Sequence, residues 1–322
     1  MTERIVRIAT RSSELALRQA RMVEQALEKR GVRSEIVTFK TLGDKKITEP
    51  LSGIGAKGLF THELEVALTK KKVDCCVHSL KDLPTESPEG LEIVAQLERE
   101  DPRDVLVVNR VTQADSLAAV PAGSRVGTSS LRRRAQLLAA RPDLEVVELR
   151  GNVPTRLQKV QGGQVHAAIL AAAGLIRLGA VDRVTAYLEP PAWLPAAGQG
   201  AIAIQIRSDD EEMRELFSQL DHRPTSIATE AERAFLAALD GGCQVPIGAL
   251  ALSTAADDKS LTLHGFVSDL RGRNVVRGSR VVNESDPKES GASLGAELKS
   301  RGAGSLLAEL RATETVIAPQ PE

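Results

Sequence analysis

Short apolar runs alternate with amphipathic helical patterns from the N-terminus to about residue 200, and the alternation restarts once, after Asp101–Pro102. Ile5–Ala9 and Ser34–Phe39 read as strands. Glu14–Lys29 between them is a helix whose apolar positions include Leu15, Leu17, Val23 and Leu27. Leu59–Lys71 reads as a helix and Val73–His78 as a strand. Strands separated by helices cannot pair as tight hairpins, so the order predicts parallel strands covered by helices. The second round has strand-like segments at Val105–Val108, Arg125–Thr128, Glu145–Leu149 and Ala167–Ala171. Helices are expected near Ser130–Ala140 and Pro154–Gln161, with Asn152 as N-cap of the second and proline in its first turn. The expectation is two α/β lobes with a cleft between them. Gly198–Ile206 is apolar again and would return to the first lobe, giving two crossing segments and a hinge.

The pattern changes after about residue 220. Ser226–Leu239 reads as a helix closing at Asp240–Gly241, with glycine in the C′ role. Ile247–Ser253, Ser260–Val267 and Asn274–Val282 form three strands with short connections, an antiparallel meander, and helices follow near Ser293–Ser300 and Ser305–Arg311. The expected domains are residues 1–100 with 199–219, residues 101–198, and an α+β domain over 220–322. At 322 residues the chain is too long for one ordinary core. Aromatic residues make up only 2%, so the cores must be built of Leu, Val, Ile and Ala. A net charge of −1 and so few aromatic platforms argue against nucleic-acid binding. No apolar run reaches the ~20 residues of a membrane helix, and the start, MTERIVRIATR, lacks the apolar run of a signal peptide. Three cysteines, an odd number, argue against a disulfide framework and for a reducing cytoplasm.

Arginine placement points toward anion chemistry. Arg11 follows the first strand, Arg132, Arg133 and Arg134 follow GTSS, Arg150 follows VVEL, Arg156 opens the next helix, and Arg177 follows Ala167–Ala171. Ligands of open α/β sheets bind outside the carboxyl ends of the strands. Guanidinium forks there match carboxylates or phosphates. Any one of these arginines also fits a solvated surface charge, and Ser12, Ser13, Thr128, Ser129 and Ser130 at the same turns fit helix capping equally well. Three successive helical residues span about 200°, so Arg132, Arg133 and Arg134 cannot all face one site. Gly53–Phe60 (GIGAKGLF) carries Lys57 but has neither the spacing nor the trailing hydroxyl of a Walker loop, and reads as a mobile loop or a lid between two elements. Asp82, where Val73–His78 runs out toward Pro84, reads either as a turn residue or as a catalytic carboxylate. His78 reads as a hydrogen-bonded core residue, and Cys75 and Cys76 as small core residues. Cys243 follows two glycines that let a bulky group approach its sulfur. It reads equally as a buried turn cysteine. No His/Cys/Asp group has metal-ligand spacing.

Eight strings, in order, resemble the porphobilinogen deaminase (hydroxymethylbilane synthase) family: RIATRSS (7–13), GAKGLF (55–60), VHSLKDLP (77–84), EREDPRDV (98–105), VGTSSLRRR (126–134), LRGNVPTRL (149–157), LPAAGQGAIAI (194–204) and GGCQVPIG (241–248). The resemblance implies two lobes built like a type-II solute-binding protein plus a small C-terminal domain, and a dipyrromethane cofactor in thioether linkage to Cys243. It implies Asp82 as the catalytic carboxylate. Cofactor contacts are implied for Lys57, Ser79, Lys81, Asp82, Thr128, Ser129, Ser130, Arg132, Arg133, Arg150 and Arg156. Substrate contacts are implied for Arg11, Ser13, Arg150, Arg156, Arg177 and Gln199. The implied activity is a transferase of porphyrin biosynthesis that condenses four porphobilinogen molecules and releases hydroxymethylbilane. The enzyme is expected to be monomeric and cytoplasmic, without metal, nucleic-acid or membrane partners. Departures are small: Ala56 stands where many members have a second glycine, and Leu42 where some carry arginine. Rival readings are a non-enzymatic two-lobed binding protein for an anionic ligand and a thiol-dependent hydrolase.

Overall fold

The computed structural model describes residues 5–41, 61–241, 245–253 and 260–317. The described residues divide into two compact units, one of residues 5–41, 61–101 and 200–226, the other of residues 102–199 and those described from 227 onward.

The first unit is built on β1 (Val6–Arg11), β2 (Ser34–Phe39), β3 (Cys75–Ser79), β4 (Leu91–Gln96) and β10 (Ile202–Arg207), in the order β2-β1-β3-β10-β4. Strands β1, β2 and β3 are parallel, as the alternation predicts. Strand β10 departs from that expectation. It does return to this sheet, but runs antiparallel to both β3 and β4. Helix α1 (Glu14–Glu28) begins at Ser13, whose hydroxyl accepts from the Ala16 amide at 3.3 Å. Ala16, Ala20, Val23 and Leu27 recur at helical spacing and form its buried face, while polar Gln19 lies buried among them. Helices α2 (His62–Thr69) and α6 (Glu211–Ser218) complete this unit.

The second unit repeats the arrangement. Strands β5 (Asp104–Val108), β6 (Arg125–Gly127), β7 (Glu145–Val147), β8 (Ala167–Ala171) and β9 (Ala186–Leu188) lie in the order β7-β6-β8-β5-β9. β6 is parallel to β7 and β8, whereas β5 is antiparallel to β8 and β9. In each sheet, the antiparallel insertion is the strand that follows a crossing between units. Helices α3 (Leu131–Ala140), α4 (Val153–Gln161) and α5 (Ala172–Arg177) follow β6, β7 and β8. Asn152 caps α4 as expected, accepting from the Thr155 amide at 2.9 Å.

Helix α7 (Arg223–Ala238) leads into the meander β11 (Ile247–Ser253), β12 (Leu261–Ser268) and β13 (Val275–Val281), antiparallel as expected. Helices α8 (Pro287–Leu298) and α9 (Gly304–Ile317) are longer than their sequence patterns suggest, and Gly302, at φ 108°, breaks the chain between them. The meander shares a core with the 102–199 lobe, in which Ala135 and Leu194 pack with Leu250 and Phe266. The described residues from 227 onward and the 102–199 lobe fall in one compact unit. At the end of α7, Asp240 rather than Gly241 takes the left-handed conformation, at φ 50°. Gly241 is needed for space instead: a Cβ there would lie 2.5 Å from the Leu236 side chain.

Candidate active site

In the first unit the carboxyl ends of parallel β1 and β3 meet the first turns of α1 and α2. A pocket of about 70 Å³ opens there, lined by Arg11, Ser13, Gln19, Thr61, His78, Ser79 and Asp82, among others. A water needs only about 10–15 Å³, so the pocket admits a group of a solute. Arg11 ends β1, Ser13 caps α1, and Ser79 ends β3, where Gln19 Nε2 donates to its hydroxyl at 2.8 Å. Leu80–Asp82 form a 3-10 turn anchored by fully buried Leu80, which leaves Lys81 half-buried and Asp82 exposed at the pocket. Thr61 precedes α2 and is buried.

His78 is the core residue the sequence suggested, with Nε2 3.1 Å from Gln205 Oε1. Burial, reinforced by the Arg11 charge and opposed by the Gln205 bond, lowers its pKa to about 4. The folded protein therefore holds it neutral at pH 7. An unfolded histidine protonates near pH 6.5, so stability is intact above that value and falls as the pH drops toward 4, by at most roughly 3 kcal/mol. Denaturant unfolding across that window should show a His78→Gln variant with a flatter pH dependence than the parent. Parallel curves would remove His78 as the cause.

Cys75 and Cys76 are fully buried in β3, and burial pushes both thiols up, away from the reactive thiolate. Cys243 and Lys57 lie outside the described residues, as do Leu42, Ala56 and the rest of GAKGLF.

In the second unit the remaining candidates collect at one edge of the sheet. Strands β6, β7 and β8 are parallel, so the turns that follow them share that edge. Thr128 Oγ1 accepts from the Ser130 amide at 3.2 Å, Ser129 donates to the Leu149 carbonyl at 2.8 Å, and Ser130 caps α3. These hydroxyls shape the turn as the capping alternative anticipates. Arg150 Nε donates to Glu148 at 2.6 Å, and Arg156 Nε donates to the Gly151 carbonyl at 2.8 Å. Arg177, in the last turn of α5, is half-buried.

The structure brings Arg132, Arg133 and Gln199 together. All three are buried and converge on Asp104, a carboxylate the sequence reading did not single out. Arg132 Nη1 donates to Asp104 Oδ2 at 2.7 Å and to the Leu194 carbonyl at 2.7 Å. Arg133 donates to Oδ1 from Nε at 3.1 Å and Nη2 at 2.7 Å, and its Nη1 donates to the Ile169 carbonyl. Gln199 Nε2 donates to Oδ1 at 2.8 Å and to the Pro102 carbonyl at 2.7 Å, while Trp193 Nε1 donates to Oδ2 at 2.9 Å. Asp104 reaches this edge because β5 runs against β8, which puts the first residue of β5 opposite Ala171, the last of β8. An acidic residue opening the apolar run DVLVV was the visible signal for it, as a polar residue on the apolar face of α1 was for Gln19.

Among the described residues no group of three or more His, Cys, Asp or Glu could hold a metal. The chain matches the family model "Porphobilinogen deaminase, dipyromethane cofactor binding domain" over residues 6–215, and the model of the same family's C-terminal domain over residues 226–300. It is 48% identical over 312 residues to the porphobilinogen deaminase of Syntrophobacter fumaroxidans, covering 96% of this chain and 99% of that one. It is 50% identical to the porphobilinogen deaminase of Moorella thermoacetica, covering 95% and 97%. Among solved structures, a methionine-binding protein aligns at 15% identity and a TM-score of 0.43, over 73% of this chain and 94% of that one. Likeness at that level carries no weight.

Proposed function

We propose, since the chain belongs to the porphobilinogen deaminase family, that Asp82 is its catalytic carboxylate and Cys243 the attachment point of its dipyrromethane cofactor. The chain is a transferase: it deaminates porphobilinogen and condenses four molecules head to tail, and hydrolysis then releases hydroxymethylbilane. The observation that carries this is the relatedness along nearly the whole length, with both family domains present in order. The alternative of a non-enzymatic binding protein has nothing comparable behind it.

The described residues suit a polypyrrole rich in carboxylates. Arg132 Nε and Nη2 have no acceptor among the described residues, while its Nη1 is spent on Asp104 and Leu194. Arg150, Arg156, Lys81 and the hydroxyls of Thr128, Ser129 and Ser130 are proposed to hold the cofactor with Arg132. Arg11, Ser13 and Arg177 are proposed to take the acidic arms of the substrate. When bound, the cofactor supplies a pyrrole carbon nucleophile and a primer for chain growth. Loss of ammonia from porphobilinogen develops positive charge on the ring. Asp82, exposed at the pocket, is proposed to stabilise that charge as an oxyanion hole stabilises the opposite one. His78, neutral beneath it, adds no competing cation.

We further infer a monomeric, cytoplasmic enzyme in which the segment from 227 onward presents the cofactor. Among the described residues no helix is long and apolar enough to cross a membrane. The test is incubation of purified protein with porphobilinogen. Release of ammonia and of a linear tetrapyrrole is expected. Ligand returned unchanged would favour the binding-protein reading.

A further inference from the structure

We propose that Asp104 is a positioning residue of this enzyme: it locks Arg133 as internal scaffold and leaves Arg132 as the ligand-facing fork. The inference rests on the arginine set serving the bound polypyrrole, and it adds a division of labour within that set.

Two guanidiniums face one carboxylate in a place from which water is nearly excluded. Asp104 is 0% exposed, Arg132 4% and Arg133 6%. Buried charges of this kind persist only when paired and hydrogen-bonded. The carboxylate is saturated, receiving Arg132 and Trp193 at Oδ2 and Arg133 and Gln199 at Oδ1. Burial alone would raise its pKa, but Arg132 and Arg133 outweigh that and hold the carboxyl well below the usual range. Burial also pulls Arg132 below the usual guanidinium value, with Asp104 working against it. The cluster of two arginines and Asp104 carries one excess positive charge.

The two arginines are not equivalent. Each side-chain nitrogen of Arg133 has an acceptor. Arg132 commits Nη1 alone, and its Nε and Nη2 have no acceptor among the described residues. Those two atoms form one edge of a guanidinium fork, the shape that takes a carboxylate with two parallel bonds. The excess charge and the open edge therefore reside on one residue. Asp104 holds that fork rigid, which reduces the ordering lost when a carboxylate docks.

Trp193 is the chain's one tryptophan, and its indole N–H rests on Asp104, so its fluorescence reports the cluster. The experiment compares full-length wild type, Asp104→Asn and Asp104→Glu. Asparagine has the same shape but supplies one acceptor oxygen in place of two and adds two donors among groups that are already donors. Its Trp193 emission is expected to shift. Its cofactor-loaded fraction by intact mass should fall at least tenfold, and any loaded enzyme should show a KM for porphobilinogen raised at least tenfold. Asp104→Glu keeps the charge and should recover part of the loading. A purely structural role predicts a lower melting temperature with loading and KM unchanged in the folded fraction, and that result would overturn the proposal. If Asp104→Asn does not fold, Trp193→Phe removes a single neutral donor and takes its place. A folded variant by circular dichroism, with KM raised a few-fold at constant kcat, supports positioning. Wild-type KM and loading there would refute it. A wild type that makes no tetrapyrrole sinks the functional reading instead. In that case binding of dipyrromethane dicarboxylate, followed by Trp193 emission in wild type and Asp104→Glu, still decides: a shift on binding supports the fork and no shift refutes it.

Discussion

Replacing Cys243 by serine is expected to yield a folded protein without the pyrrole mass and without turnover above background. A thioether needs a sulfur nucleophile, and a serine hydroxyl, far less acidic and less nucleophilic, does not replace it. The structure strengthens this by removing the competitors. The chain has two other cysteines, Cys75 and Cys76, adjacent in β3 and both free and fully buried. Burial holds each as the protonated thiol, and Cys76 Sγ also lies 3.4 Å from the Leu64 carbonyl. Neither can receive a two-ring adduct without opening the core. Intact mass of the wild type and the serine variant, with peptide mapping of the wild type, measures the outcome. A serine variant that still carries the pyrrole mass would end the assignment of Cys243.

Asp82→Asn should separate the cofactor from the chemistry. Asp82 is exposed at the end of a turn that buried Leu80 holds, and the Leu83 amide donates back to the Leu80 carbonyl at 3.1 Å. The amide replacement has the same shape and little reason to unfold that turn. Loading and melting temperature should stay near wild type. What disappears is the negative charge opposite the developing cation. Electrostatic contacts of this type are worth about 10²–10³ in kcat when removed, so a loss of at least about a hundredfold is expected. Single-turnover assays on loaded enzyme provide the measurement. A kcat within a few-fold of wild type would take Asp82 out of the mechanism.

Elements with a strong local signature were legible from sequence. Ser34–Phe39, Ala167–Ala171 and Ile247–Ser253 are strands with the expected bounds, and Asn152 caps α4. These are short-range features: a side-chain period, a cap, an apolar run between turns. Strands β4 and β9 carry no strong local signature. LEIVAQ shows no period-two alternation in its burial, and AYL is too short to show a period. Helix α8 starts with Pro287 after Asp286, a standard N-terminal signal, yet its glycines Gly291 and Gly295 masked its first half in the sequence pattern. They are there because a side chain at Gly291 would lie 2.1 Å from the Ala231 carbonyl, a requirement imposed by α7 packing across the chain.

The candidate site divides along the same line. The order of strands and helices by itself placed Arg11, Ser13, Asp82, Arg132, Arg150 and Arg156 at strand ends, because the chain must turn there whatever it later packs against. Gln19, Thr61 and His78 join the pocket only once α1, α2 and β10 are assembled. Strand direction was likewise settled at long range. β5 and β10 insert antiparallel between distant partners, and no local period records which way a strand points. Reversing β5 in thought would carry Asp104 to the far edge of its sheet and strand two buried arginines without a counter-charge. The sequence alone therefore sufficed for α/β lobes with arginines gathered at strand ends. Tertiary structure decided that Arg133 is committed inward to Asp104 while Arg132 keeps an open edge, because ion pairs between residues about 30 positions apart form only after the sheet has brought them together.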